Sequence, residues 1–294
     1  MDSNQHGGID LHIHTTASDG TYEPHEILQM ASRLGLQAIA ITDHDTLEGS
    51  RRALAGEIPA SLDFLSGVEI STHPPDRCKI NGSLHILAYD FDVDSRPLQK
   101  ALGDLQQARS LRTRQIVERL NELGIPLSLE QVLKEAGPGN SGRPHVASAM
   151  VKAGVVKDID EAFGRFLGKG CPAYVDKYRL NCRQAFELIR NAGGIPVLAH
   201  PYLIRCGHGA NLTDLVRQLC AWGLMGLEAY YPEHTPKATD EYLHLAQTYN
   251  LLVTGGTDFH GRLTPDIQMG RGRGGMHIPY TVYEALVARR PQTV

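Results

Sequence analysis

The sequence predicts an α/β barrel, and three observations predict it. Seven short apolar runs alternate with helix-patterned segments, the rhythm of strands and crossover helices. Histidines and carboxylates recur where these runs end, as side chains do at the working face of such a barrel. A length of 294 residues holds one large barrel or two modest domains, and either buries a sizeable core.

The elements follow in order. In Ile9–Ile13, Ile9, Leu11 and Ile13 alternate with Asp10, His12 and His14, the period-2 pattern of a strand. Pro24 then stands where a helix starts; Ile27, Ala31 and Leu34 follow at helical spacing, and Gly35 ends it. Ala38–Ile41 reads as the second strand, 45–54 as a helical turn region, 64–70 and Leu84–Tyr89 as the next two strands. The repetition resumes with a strand at 195–199, an amphipathic helix at Leu212–Trp222, a strand at 225–230, a helix at 238–249, a strand at 251–256 and a terminal helix at 281–290. Alternation of this kind predicts a parallel sheet. Between them the pattern changes. Residues 98–123 carry apolar groups at helical spacing up to the stop signal Gly124-Ile125-Pro126, and shorter helices are expected at Leu129–Ala136, 144–153 and 158–167. We therefore divide the chain into a barrel domain, 1–95 with 179–294, and a helical insertion, 96–178, that contributes to substrate recognition.

Bulk composition bounds the function. Hydrophobic residues at 41% and charged residues at 21% are ordinary for a soluble globular protein. A net charge of −4 offers no general basic surface for long nucleic acid, though a local basic pocket is compatible with it. The polar, acidic start Met1-Asp2-Ser3-Asn4-Gln5 predicts no signal peptide, and no apolar stretch reaches the ~18–20 residues that span a bilayer. Cys78, Cys171, Cys182, Cys206 and Cys220 are odd in number, scattered and free of C-x-x-C pairs, which argues for a reducing, cytoplasmic compartment. Cys206-Gly207-His208 reads as loop structure rather than a metal site. No membrane and no protein partner are expected.

The chemistry sits in the polar segments. Asp10-Leu11-His12-Ile13-His14 is joined by Thr42-Asp43-His44-Asp45, Gly67-Val68-Glu69, Ala199-His200-Pro201 and Thr257-Asp258-Phe259-His260, each following or ending an apolar run, and His85 interrupts a further run. One HxH pair on a strand is as readily a solvent-facing strand as a ligand pair. Five such segments imply a common destination. His12, His14, Asp19, His44, Glu69, His85, His200, Asp258 and His260 supply more donors than one ion uses, and they suit a cluster of two or three divalent ions.

On these motifs the chain resembles the PHP (polymerase and histidinol phosphatase) family of metal-dependent hydrolases, from its first strand to its last. The resemblance implies a distorted seven-stranded (β/α) barrel with a trinuclear metal centre. It implies that His12, His14, Glu69 and Asp258 hold the first ion, with Glu69 bridging to a second completed by His85 and His200. Asp19, His44 and His260 would hold the third. Asp19, His44 and His200 are the ligands also expected to take part in catalysis. Asp43 and Asp45 either orient His44 or cap the next helix, with the cap favoured for Asp45; Asp10 is expected to be a buried supporting carboxylate rather than a ligand. Within the family, the helical insertion and Ser141-Gly142-Arg143-Pro144-His145 look like the branch acting on nucleotides. That implies removal of the 3′-phosphate from nucleoside 3′,5′-bisphosphates, with short oligoribonucleotides as further substrates.

Clustered divalent ions suit this reaction because they neutralise phosphoryl oxygens, lower the pKa of a bound water and hold the groups in line. Imidazoles with carboxylates and no thiolate favour Mn²⁺, with Zn²⁺ or Fe²⁺ next. No serine or cysteine nucleophile is needed, and no G-x-S-x-G or P-loop is present. Arg143 is the expected phosphate clamp, its guanidinium fork matching phosphate oxygens. Lys134, Lys177, Arg179, Arg271 and Arg273 are candidates for a second phosphate, though each alone reads as a solvated surface charge before a functional one. Three alternatives stand beside this reading: a 5′-to-3′ exoribonuclease on short RNA, a histidinol-phosphate-type phosphatase, and a non-catalytic binding module with structural metals.

Overall fold

Alternating apolar residues form the strands, and their order closes the sheet. The computed structural model describes residues 8–75, 80–81, 84–136, 141–206 and 211–289. Cys78, the Gly207-His208 pair and the first seven residues, singled out above, lie outside them. The chain divides into two compact units, one formed by Met1–Leu102 with Leu180–Val294 and the other by Gly103–Arg179.

Among the described residues, seven strands form the path of the first unit's main sheet: β1 (Ile9–Ile13), β2 (Ala38–Ile41), β3 (Asp63–His73), β4 (Leu84–Tyr89), β5 (Ile195–Leu198), β6 (Gly226–Tyr230) and β7 (Leu252–Gly255). Each is hydrogen-bonded to the next, and a two-residue strand, Leu180–Asn181, pairs with the end of β3. Just past β7, Phe259 bridges Ile13 in parallel, and its carbonyl accepts from His14 N–H at 3.0 Å, so the sheet nearly closes on itself. Beneath α1 (Pro24–Arg33), Ile27, Leu28 and Ala31 pack on Ile39 and Ile41. Its start carries Pro24 with the Glu23/Glu26 capping box, and Gly35 beyond its end has φ +71°. A second core cluster gathers Ile9, Leu11, Leu65, Leu87, Tyr89 and Val197.

One expectation fails. The sheet is not all parallel, because β4 runs antiparallel to both β3 and β5. Only residues 74–83 separate β3 from β4, shorter than the dozen or more residues that a parallel crossover takes. The inversion has a use. His85 stands near the start of β4, and the register sets it opposite Ser71 near the end of β3. A histidine at the beginning of its strand thereby reaches the end of the sheet where the other strands finish.

The second unit holds only helices among the described residues. They are the later part of α3 (Arg96–Glu122), then α4 (Leu129–Ala136), α5 (Arg143–Lys152), α6 (Ile159–Ala162) and a π-turn at Phe163–Leu167. Their core is separate, built on Ile116, Leu120, Val132, Val146 and Met150. The helices α7 (Cys182–Asn191), α8 (Leu212–Trp222), α9 (Pro236–Thr248) and α10 (Thr281–Ala288) return to the first unit. Among the described residues no helix is long and apolar enough to cross a membrane.

Candidate metal centre

Strand periodicity alone puts His12 and His14 on one face of β1, and both are fully buried. Glu69, in the middle of β3, is the point they share. His14 Nε2 lies 3.3 Å from Glu69 Oε2 and 3.0 Å from Asp258 Oδ1; His12 Nε2 lies 3.4 and 3.3 Å from the same two atoms. His44, just past β2, brings Nδ1 to 3.0 Å from Glu69 Oε2. On the other carboxylate oxygen, His85 Nδ1 stands at 2.7 Å and His200 Nε2 at 2.8 Å. Asp19, in the turn after β1, faces His14 Nδ1 at 3.5 Å, His260 Nε2 at 3.4 Å and His44 Nε2 at 3.8 Å. The structure therefore brings together all nine residues expected to bind metal.

These residues fit cations. His12 Nε2, His14 Nε2, Glu69 Oε2, Asp258 Oδ1, Asp19 Oδ1 and His44 Nδ1 are buried atoms without a hydrogen-bond partner. Orphaned donors and acceptors are costly unless something else satisfies them. Three sets of such atoms lie within 4.8 Å of one another: His12, His14, Glu69 and Asp258; His44, Glu69 and His85; His14, Asp19, His44 and His260. The grouping shares more ligands than the sequence reading did, since His44 also joins Glu69 and His85, and His14 also faces Asp19.

The electrostatics are those of a cage built for positive charge. Burial opposes protonation of His12, but Glu228, then Asp258 and Glu69, hold its pKa well above the usual imidazole value. Burial likewise opposes His14, yet Asp258 and Glu69 raise it to about 10. Against the burial that would raise it, Glu69 is held far below the usual carboxylate range by His44, His85 and His12. His85 goes the other way; burial, only partly offset by Glu69, lowers it to about 4.

Neighbouring carboxylates hold the frame. Asp10, fully buried, accepts from Thr257 N at 2.9 Å, Thr257 Oγ1 at 2.6 Å, Gly270 N at 2.8 Å and His12 N at 3.3 Å, tying β1 to the segment after β7. Burial pushes its pKa up to about 6 against those hydrogen bonds. Asp43 does not orient His44. It accepts from Thr15 N at 2.8 Å, Thr15 Oγ1 at 2.7 Å and Ser18 Oγ at 2.5 Å, shaping the turn that presents Asp19. Asp45 is not a cap either: α2 (Glu48–Ala55) starts after Leu47, and Asp45 accepts from Ser71 N at 2.7 Å and Ser71 Oγ at 3.0 Å. With φ +54°, Asp45 leaves the strand in a left-handed turn that a cap would not need.

At the metal centre sequence reasoning missed two residues. Glu228, on β6, is fully buried; Tyr231 donates its hydroxyl to Asp258 Oδ2 at 3.0 Å. The signal for Glu228 was a carboxylate between Leu227 and Ala229 in an apolar strand; Tyr231, just past that strand, carried none.

The expected phosphate-binding residues fall in different places. Arg143 opens α5, half-buried, donating to Leu167 O at 3.2 Å with its guanidinium 5.4 and 5.6 Å from the Phe163 and Tyr174 rings. Burial, then opposing influences from Tyr174, which raises it, and Arg179, which lowers it, leave its pKa below the usual arginine value. Arg112, not anticipated, donates Nε–H to Val175 O at 2.8 Å and has a buried, unpartnered Nη2; burial and then the charge of Arg143 lower it to about 10. Its place four residues before Ile116 on the buried stripe of α3 was the available clue. Arg179 donates to Lys177 O at 2.9 Å, and Lys134 is exposed on α4. Arg271 departs from expectation. It lines a cavity of about 690 Å³ with Gly8 and Gln37, at the starts of β1 and β2, whereas His14 and His44 follow the ends of those strands. Between those two ends β1 runs five residues, about 16 Å at the usual rise. Arg273 is paired with Asp266 and Glu233.

Comparison with known proteins gives a family and several relatives. The PHP domain matches residues 10–125. A 5′-3′ exoribonuclease of Haemophilus influenzae is 33% identical over 254 residues, covering 85% of this chain and 89% of that protein. A 3′,5′-nucleoside bisphosphate phosphatase of Chromobacterium violaceum is 29% identical, covering 93% and 91%. Among solved structures, a candidate metal-dependent phosphoesterase of Bifidobacterium adolescentis superposes with a TM-score of 0.81 at 30% identity, covering 98% of each chain.

Proposed function

From the premise that this chain belongs to the PHP domain family and is a metal-dependent phosphoesterase, we propose that it removes the 3′-phosphate of nucleoside 3′,5′-bisphosphates. The products are a 5′-nucleotide and inorganic phosphate. Two to three divalent ions, Mn²⁺ by choice, would be held by His12, His14, Asp19, His44, Glu69, His85, His200, Asp258 and His260. The observation that supports the metal reading is the convergence of orphaned, buried nitrogen and oxygen atoms on Glu69.

When bound, such ions neutralise the phosphoryl oxygens and lower the pKa of a water. The chain's own residues do the rest. Glu69 and Asp258 converge with His12 and His14, the two carboxylate oxygens lying 3.0–3.4 Å from the imidazole Nε2 atoms. Asp43 fixes the turn that carries Asp19, and Asp10 fixes the segment that carries Asp258. Arg143, Arg112 and Arg179 gather buried and half-buried guanidinium charge that Asp176, 3.6 Å from Arg179 Nη1, offsets in part, and a phosphate would offset it further. We assign to it the phosphate that is not hydrolysed, with Lys177 and Lys134 as weaker contributors.

A second reading is favoured by the 33% identity to an exoribonuclease. The two readings break the same bond. Removing a 3′-phosphate from a 5′-phosphorylated nucleoside cleaves the bond between phosphorus and the 3′-oxygen. Releasing a 5′-mononucleotide from the 5′ end of RNA does so too, with a longer chain on phosphorus.

Steady-state kinetics with Mn²⁺ test both, using adenosine carrying a 3′-phosphate, a 5′-phosphate or both, histidinol phosphate, and a short 5′-phosphorylated oligoribonucleotide. The bisphosphate is expected to exceed either monophosphate by about tenfold or more, the scale of one charged hydrogen bond. Preference for the oligomer would favour the exonuclease. Equal rates for the nucleotides would remove the bisphosphatase reading, and preference for histidinol phosphate would remove both.

A further inference from the structure

Glu228 is a buried carboxylate with no part in the ligand set, and burying an unneutralised carboxylate is costly. Its position in β6 is fixed by the register with β7, where it stands opposite Thr254. Both of its oxygens are committed. Oε1 lies 2.9 Å from His12 Nδ1, and Oε2 accepts from the backbone N–H of His200 at 2.6 Å.

Each contact bears on a different residue of the metal centre. An imidazole offers one nitrogen to a metal only if its proton sits on the other, and a carboxylate on that other nitrogen fixes which. With Nδ1 facing Glu228, a single imidazole proton belongs on Nδ1, which makes Nε2, on the side of Glu69 and Asp258, the nitrogen offered to a metal. The second contact secures a strained residue. His200 has φ +26° and ψ 64° ahead of Pro201, outside the extended region that a residue before proline prefers. Holding its N–H fixes the turn that aims its Nε2 at Glu69 Oε1.

We propose that Glu228 is a positioning residue of the metal centre, setting the tautomer of His12 through one oxygen and the backbone turn of His200 through the other. It binds no ion itself. Glutamine should not replace it, because a carboxamide has one accepting end and here two donors must be received. Whichever way the amide turns, its NH₂ opposes either the His200 N–H or the His12 Nδ1–H.

The inference rests on the metal-centre reading above, and the test separates the two. Zinc-loaded wild type and Glu228→Gln are compared by the rate at which a chelator strips zinc, alongside the melting temperature of each metal-free protein. Loss of zinc about 10–100-fold faster is expected, the scale for removing a hydrogen-bond partner of a metal-bound histidine. Nitrogen-15 spectra of imidazole-labelled, zinc-loaded wild type should show His12 with its proton on Nδ1 and its Nε2 ligated. A purely structural role would lower the melting temperature while leaving zinc release at the wild-type rate, and that result overturns the proposal. So does a His12 proton on Nε2, which decides the matter even if Glu228→Gln does not fold. Wild-type protein that binds no zinc or manganese would overturn the metal reading itself.

Discussion

The strand-end cluster of the first unit and the arginine group of the second both gather charge, but they do it by opposite means. In the cluster, short side chains on strands and strand-end turns bring orphaned donor atoms to one place, with Glu69 shared by five histidines. In the helical unit, long side chains are braced by carbonyls and aromatic rings: Arg143 by Leu167 O, Phe163 and Tyr174, Arg112 by Val175 O. The difference teaches what each region tolerates. A chelating site depends on several atoms meeting within a few tenths of an ångström, so losing one weakens all. A guanidinium group acts through charge and two or three hydrogen bonds, and its loss is felt by one part of the substrate.

The largest effect is therefore expected in the cluster. His14→Ala or Asp258→Ala should lower kcat/KM by about 10³-fold or more, as the loss of several kcal/mol of charge stabilisation dictates, and should lower metal content measured by elemental analysis. Full activity in chelator-treated, metal-free wild type would break the comparison outright. Arg143→Ala should cost ~2–3 kcal/mol in kcat/KM, about 30–150-fold, for the bisphosphate, with metal content unchanged. An equal loss for a substrate lacking the second phosphate would show that the arginine does not read that phosphate.

Acidity sharpens the contrast further. His14 in the metal-free protein has its pKa raised to about 10, so it is protonated at neutral pH, whereas a metal needs the bare nitrogen. Binding must expel the proton, and affinity should rise as pH rises toward that value. The expected slope is about tenfold per pH unit for each proton released, read by calorimetry in buffers of different ionisation enthalpy. Anion binding to the arginine group should show no such rise, since Arg112, at about 10, stays charged through neutrality. Smallest is Lys134→Ala. An exposed charge on α4 is worth at most about 1 kcal/mol, so kcat/KM should change less than about fivefold.

By itself the sequence determined the seven strands, the helical segment and the residues of the cluster, because each is a local matter. Period-2 alternation puts His12 and His14 on one face whatever surrounds them, and Pro24 and Gly35 bracket a helix from within it. Direction and partnership are not local. Only the tertiary structure decided that β4 runs backwards, which depends on the length of the link from β3 and the pairing on both sides. It decided that Asp43 and Asp45 serve Thr15, Ser18 and Ser71 rather than His44 or a helix, since a carboxylate accepts from whichever donors the fold delivers. It set Arg271 at the starts of the strands whose ends carry histidines, and it paired Glu228 with His12 across 216 positions of chain. Hydrogen-bond partners separated by that much sequence are chosen by how the sheet closes, and no pattern within either segment encodes them.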